Sequence, residues 1–123
     1  MSLKSTLGLS PPPVLTVERD EAVLLQVHIT GTQYYQLDQA FDSLKVGQVL
    51  TLQRELFNAF DGRAVAVYWR KYKLGFIPKS ANYSIALLLD QQVTLKAVIA
   101  DIRPQQDWHS VLLQVCIVGV KRG

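Results

Sequence analysis

The sequence predicts a mainly β domain with one or two helices, closing as a small six-stranded antiparallel barrel. Three observations carry this. Several short runs alternate apolar and polar residues with a period of two, as half-buried strands do. Turn residues separate these runs at hairpin spacing, which favours a strongly bent antiparallel sheet. One clear segment, residues 80–90, repeats its apolar residues at the helical period.

The elements follow in chain order. Residues 22–30 place Val23, Leu25, Val27 and Ile29 on one face of a first strand. Gly31-Thr32 ends it, and Gln33-Tyr34-Tyr35 opens a connection. Asp38 to Leu44 predicts a short helix or turn, with Asp38 as a candidate cap and Phe41 and Leu44 on one side. Lys45-Val46-Gly47 turns into a second strand over 48–55, with Leu50 and Leu52 inward. Asn58 and Asp61-Gly62 are turn chemistry.

Residues 64–70 form a third strand, with Val65, Val67 and Trp69 on one face. Arg70 to Lys73 would be a basic hairpin tip, and Leu74 to Ile77 a short return strand stopped by Pro78. Ser80 is a candidate cap for a helix reaching about Asp90, with Ala81, Ile85, Leu88 and Leu89 on one side. A fifth strand covers 93–102, a polar loop 103–107, and a long sixth strand 108–120, with Val111, Leu113, Val115 and Ile117 core-facing.

With 123 residues, 49% hydrophobic and 19% charged, the chain makes one globular domain with one real core. We place that domain at 21–123. Residues 1–20, with Pro11-Pro12-Pro13, read as an extended Pro-rich linker or the remnant of a leader. No apolar run approaches the ~18 residues of a membrane span. The expected location is cytoplasmic, or periplasmic if a native leader once preceded this segment.

Little here supports catalysis. Cys116 is the one cysteine and lies in an alternating apolar strand, where it packs as a small hydrophobe. His28 and His109 are the two histidines; with so few Cys and His, no metal site and no cofactor are expected. There is no phosphate loop and no dinucleotide-binding glycine pattern.

Binding has more to stand on. Residues 54–79 hold six cations against two acids, and six of the chain's aromatics. Cations attract phosphates and aromatic faces stack on unpaired bases, so this mixture points to single-stranded nucleic acid. A core strand with a solvated face gives the same composition. Of Tyr34 and Tyr35, at most one can face the core from extended backbone.

An ordered set of motifs then resembles the HIRAN domain. It runs Gly31-Thr32-Gln33-Tyr34-Tyr35, Leu44-Lys45-Val46-Gly47, Leu50-Thr51-Leu52-Gln53-Arg54-Glu55, Asn58, Phe60-Asp61, Ala64-Val65-Ala66-Val67 and Leu74-Gly75-Phe76-Ile77-Pro78-Lys79. The resemblance covers roughly residues 24–100. It implies a barrel similar to an oligonucleotide-binding fold and non-enzymatic capture of the 3′-hydroxyl end of single-stranded DNA. Tyr34 would stack on the terminal base. Asp61, with the backbone at Phe60, would take the 3′-hydroxyl. Asn58 would hold the loop, and Lys79 would face a phosphate.

Gln33, Tyr35 and Phe76 complete the implied set. The family's best-understood member, a module of a fork-remodelling enzyme, carries arginine in place of Gln33 and histidine in place of Phe76. The family's usual proline is Leu56 here. Losing the two polar contacts lowers affinity and salt dependence, while Phe76 offers a stacking face instead. A helicase, nuclease or other protein would have to supply any motor or cutting action. The alternative is a protein-interaction module, in the cell envelope or the cytoplasm, with no DNA role.

Overall fold

The alternating runs do become strands, and the free edges of the sheet they build are drawn towards each other. A computed structural model describes residues 22–104 and 109–120. The expected linker at 1–20 and most of the polar loop at 103–107 lie outside the described residues. The strands are β1 (Ala22–His28), β2 (Val49–Arg54), β3 (Val65–Trp69), β4 (Tyr72–Phe76), β5 (Val93–Pro104) and β6 (His109–Val120). They form one antiparallel sheet in the order β1-β6-β5-β2-β3-β4.

Hydrophobic alternation sets the register. Ala97 and Ile99 on β5 pair with Val115 and Leu113 on β6, and all four are fully buried. Leu50 on β2 pairs with Ala97, which carries the same core layer across the sheet. Bulges bend β5 and β6 at Thr94/Leu95 and Ile99/Asp101, adding the curvature a small barrel needs. A bulge in β1 between Val23 and Leu25 breaks the expected alternation there. Val23 therefore points to solvent (62% exposed), while Leu25 and Val27 pack on the core.

The two edge strands meet at one point. Thr30, just past β1, exchanges both backbone hydrogen bonds with Phe76, the last residue of β4 (2.8 and 2.9 Å). Gly75 makes this approach possible. A Cβ at Gly75 would stand 2.3 Å from the Thr30 carbonyl oxygen and 2.7 Å from Ile29 Cγ2. Gln36 covers more of the same edge. Its N–H donates to the Lys73 carbonyl (2.8 Å), and its Oε1 accepts from the Lys73 N–H (3.0 Å). The outer edge of β4 is thus satisfied by the segment that follows β1.

That segment is more helical than extended. Thr32–Tyr34 is one 3-10 turn, followed by helix α1 (Leu37–Ala40) and a second turn at Phe41–Ser43. Leu37 and Ala40 are buried, whereas Asp38 is not the cap expected. It lies inside α1, and its Oδ1 meets His109 Nδ1 at 2.9 Å.

Helix α2 (Asn82–Asp90) lays Ile85 and Ala86 into the core. Its cap position is Ala81 rather than Ser80, with no side-chain cap bond. The β3–β4 connection is also tighter than expected. Arg70 and Lys71 alone make the turn, with Tyr72 and Lys73 already in β4. Arg70 adopts φ 55°, a left-handed position that costs a residue with a Cβ roughly 1–2 kcal/mol.

Gly75→Ala should therefore destabilise the protein by about 1–3 kcal/mol through overpacking at the bridge. Gly62→Ala, whose Cβ meets no heavy atom within 4 Å, should change stability by less than about 0.5 kcal/mol. Equilibrium denaturation of the two variants checks this, and equal effects would remove Gly75 from its closing role.

Candidate nucleic-acid interface

The loop between β2 and β3 is built by its own side chains. Asn58 Oδ1 accepts from the N–H groups of Phe60 (2.8 Å) and Asp61 (3.0 Å), an Asx-type turn. Asn58 Nδ2 donates to Glu55 Oε1 (3.0 Å), so its amide is engaged on both ends. Asp61 Oδ1 accepts from the Arg63 N–H (2.9 Å), and Asp61 Oδ2 accepts from Asn82 Nδ2 (2.8 Å). Asn82 is 97% buried, and this bond is what makes that burial tolerable.

Arg54 clamps the loop from below. It donates to the carbonyls of Ala64 (2.9 Å) and Gly62 (3.1 Å), and bidentately to Asp90 at the end of α2 (2.9 and 3.3 Å). Lys73 Nζ pairs with Glu55 Oε2 at 2.5 Å. The same ammonium lies 4.8 Å from the Tyr35 ring centre and 4.4 Å from that of Phe76. Those two rings meet edge to face, 5.4 Å apart. A continuous set of contacts thus runs from Asn82 through Asp61, Asn58, Glu55 and Lys73 to the paired rings.

These contacts surround a cleft of about 230 Å³. Its lining is Thr30, Tyr35, Asn58, Phe60, Asp61, Ala64, Phe76, Ile77 and Lys79. Six of the eight residues singled out from the sequence come together here: Tyr35, Asn58, Phe60, Asp61, Phe76 and Lys79. Gln33 and Tyr34 are exposed on the neighbouring 3-10 turn and lie beyond the lining. Of the adjacent tyrosines, Tyr35 turns into the cleft and Tyr34 stays 77% exposed. Ala64 and Ile77 fall within the motifs quoted above, whereas Thr30 and the supporting Asn82 carried no sequence signal, because only the closing bridge and the α2 contact bring them here.

The chemistry of the cleft is mixed. Rings of Tyr35, Phe60 and Phe76 offer flat apolar faces, and Phe60 is 90% exposed at the rim. Asp61 is held below the ordinary carboxylate value. The Arg63 N–H does most of this, opposed by partial burial and helped by Asn82 and the charges of Lys79 and Arg63. It therefore stays an anion that only accepts. A carboxylate has about four acceptor sites, and protein donors occupy two of them. Glu55 is also held below its ordinary value: burial pushes it up, but the hydrogen bonds from Lys73 and Asn58 and the Lys73 charge outweigh that.

Arg54 and Lys73 are thus engaged in ion pairs within the fold, so fewer cations of the 54–79 segment face outward than the sequence implied. Among the described residues no His, Cys, Asp and Glu cluster suits a metal ion, and no helix is long and apolar enough to cross a membrane.

Fold and cleft together define a small β-barrel-like binding module. The chain belongs to the HIRAN domain family, whose model matches residues 23–118, and this family is known for DNA binding. Among solved structures, a protein from Lactobacillus plantarum superposes with a TM-score of 0.71 at 29% identity, covering 79% of this chain and 94% of that one. The HIRAN domain of human HLTF superposes with a TM-score of 0.62 at 18% identity, covering 82% of this chain and 81% of that one. That second likeness concerns the fold. No curated protein matches the chain.

Both lowered carboxylates give stability that is present above their unfolded values, 4.5 for Glu55 and 3.8 for Asp61, and lost as pH falls through the folded ones. Thermal melts should fall off below pH 4.5, and Glu55→Gln should flatten that fall. Asn82→Ala should move the Asp61 titration, followed by carboxyl NMR, up towards 3.8. An unchanged Asp61 curve would show that Asn82 does not hold it.

Proposed function

We propose that the cleft binds the 3′-hydroxyl end of single-stranded DNA without catalysing a reaction on it. One observation carries the reading: an ionised carboxylate with spare acceptor sites, Asp61, lies between aromatic rings and a lysine in a cleft of nucleotide-like mixed chemistry. A terminal hydroxyl supplies a donor, a base supplies a flat face, and the first phosphodiester supplies an anion. Asp61 takes the hydroxyl. Tyr35 and Phe76 form one wall and Phe60 the rim. Lys79 faces the phosphate. Asn58 keeps the loop in shape, and its own amide is already satisfied within the protein. Tyr34 and Gln33, exposed beside the mouth, meet the base and backbone that follow.

The loop offers a second reading. Leu56 is 62% and Phe57 98% exposed, an apolar pair outside the cleft lining. Single exposed apolar residues are ordinary, but two in sequence next to a binding cleft suit contact with a partner protein. In that reading the DNA end is handed to, or received from, the partner.

The ligand chemistry is tested by fluorescence anisotropy with oligonucleotides ending in a free or a phosphorylated 3′-hydroxyl. A 3′-phosphate removes the donor and sets a dianion against Asp61, so it should weaken binding by about ten- to a hundred-fold, the scale of one charge-assisted hydrogen bond. Asp61→Ala should weaken the free-hydroxyl ligand and narrow this gap. Its fold should be checked by circular dichroism, since Asn82 loses its partner. Equal binding of both oligonucleotides to the wild-type protein overturns end capture.

A further inference from the structure

The seam between residues 30–43 and β4 has a second cleft at its other end. It is lined by Gln39 and Ser43 on one side and by Trp69, Arg70, Lys71 and Tyr72 of the β3–β4 hairpin on the other. Its volume is about 380 Å³, larger than that of the first cleft. Trp69 and Tyr72 stack with ring centres 5.7 Å apart. The Arg70 guanidinium sits 4.7 Å from the centre of the Trp69 ring, and the Lys71 ammonium 5.7 Å from that of Tyr72. Aromatic faces hold both cations, and among the described residues neither is paired with a carboxylate. Both side chains are solvent-exposed.

Arg70 also occupies a backbone position that glycine or asparagine fills more cheaply. A charged residue kept at a left-handed turn position marks the tip as a place to look for function. Both clefts adjoin β4, with Phe76 at one and Tyr72 at the other. A bulge at Leu74 puts the two side chains on opposite faces of that strand, so a ligand touching both would wrap around its edge.

We propose that the hairpin-tip cleft is a second nucleic-acid contact. In it Arg70 and Lys71 neutralise phosphodiesters upstream of an end held in the first cleft. The inference rests on the single-stranded DNA reading of that first cleft. The ligand chemistry is a single-strand backbone with an unpaired base: phosphates for the two cations, and a base face for the exposed parts of Trp69 and Tyr72. Gln39 and Ser43 supply hydrogen-bonding groups on the opposite wall.

The test uses 5′-labelled oligothymidylates of two and eight nucleotides, with free 3′-hydroxyls, across a salt series. Only the longer one reaches the tip. Arg70→Ala combined with Lys71→Ala should weaken the octamer about tenfold. It should also reduce the slope of log affinity against log salt by about 1.4, near 0.7 per lost phosphate contact. Dinucleotide affinity should stay the same. Arg70→Gly relieves the turn, so its melting temperature should equal or exceed that of the wild type while octamer affinity still falls. In a Trp108→Phe background the octamer, and not the dinucleotide, should quench the emission of Trp69.

An unchanged octamer affinity and salt slope in the double variant overturns the proposal. So does a parallel loss for the dinucleotide, which would mean a general effect. Failure of end capture reads differently: free and 3′-phosphorylated octamers then bind alike, while the Arg70 and Lys71 comparison still decides the tip.

Discussion

The hydrogen-bond pair between Thr30 and Phe76 is the contact on which the rest of the arrangement depends. It ties the end of β1 to the end of β4, at opposite edges of the sheet. The approach is so close that only a residue without Cβ fits at position 75. From it follow the positions of Thr30 and Phe76 in one cleft wall and the direction in which the chain leaves β1. Tyr35 then falls beside Phe76, and Gln36 falls on the open backbone of Lys73. One closure of the sheet therefore both removes an exposed strand edge and builds half of a binding site.

The other half is electrostatic. The 55–64 loop has no regular secondary structure of its own, and side chains add to its short-range backbone hydrogen bonds, such as that from the Glu55 N–H to the Ala64 carbonyl. Arg54 adds to these by holding the carbonyls of Gly62 and Ala64, while Asp90 holds Arg54. Asn58, Glu55 and Lys73 link the loop to the aromatic wall. In such a network each charge has a local partner, so its removal exposes another group. Lys79 at one cleft, and Arg70 and Lys71 at the other, form no carboxylate ion pair among the described residues, and all three face outward.

The strands were legible in the sequence because period-two alternation is local, as at Val111, Leu113 and Val115. So was the turn chemistry of Asn58 and Asp61, since Asx turns form within a few residues. Less local facts were hidden. Gly75 looks like an ordinary glycine in a strand until Thr30, far away in sequence, is placed against it. Ser80 reads as the helix cap, yet the helix starts at Asn82, whose side chain is bonded to Asp61, 21 positions earlier. Which of the two tyrosines turns inward is not readable from the sequence, because a 3-10 turn forms where extended backbone is expected. Counting cations across 54–79 overstated the attractive charge, because ion pairing is a tertiary property.

The bridge has a kinetic side as well. Its two residues are 46 positions apart, and contacts of such separation must first overcome loop-closure entropy. Neighbouring pairs such as β3 with β4 face a much smaller cost and need no such closure. Local opening of the same bridge parts Thr30 from Phe76 and disassembles the cleft without unfolding the β5–β6 core. The lifetime of the site is then tied to that of the bridge and of the Gln36–Lys73 bonds beside it. A ligand seated across them acts as a clasp, linking its own residence time to how long the barrel stays shut.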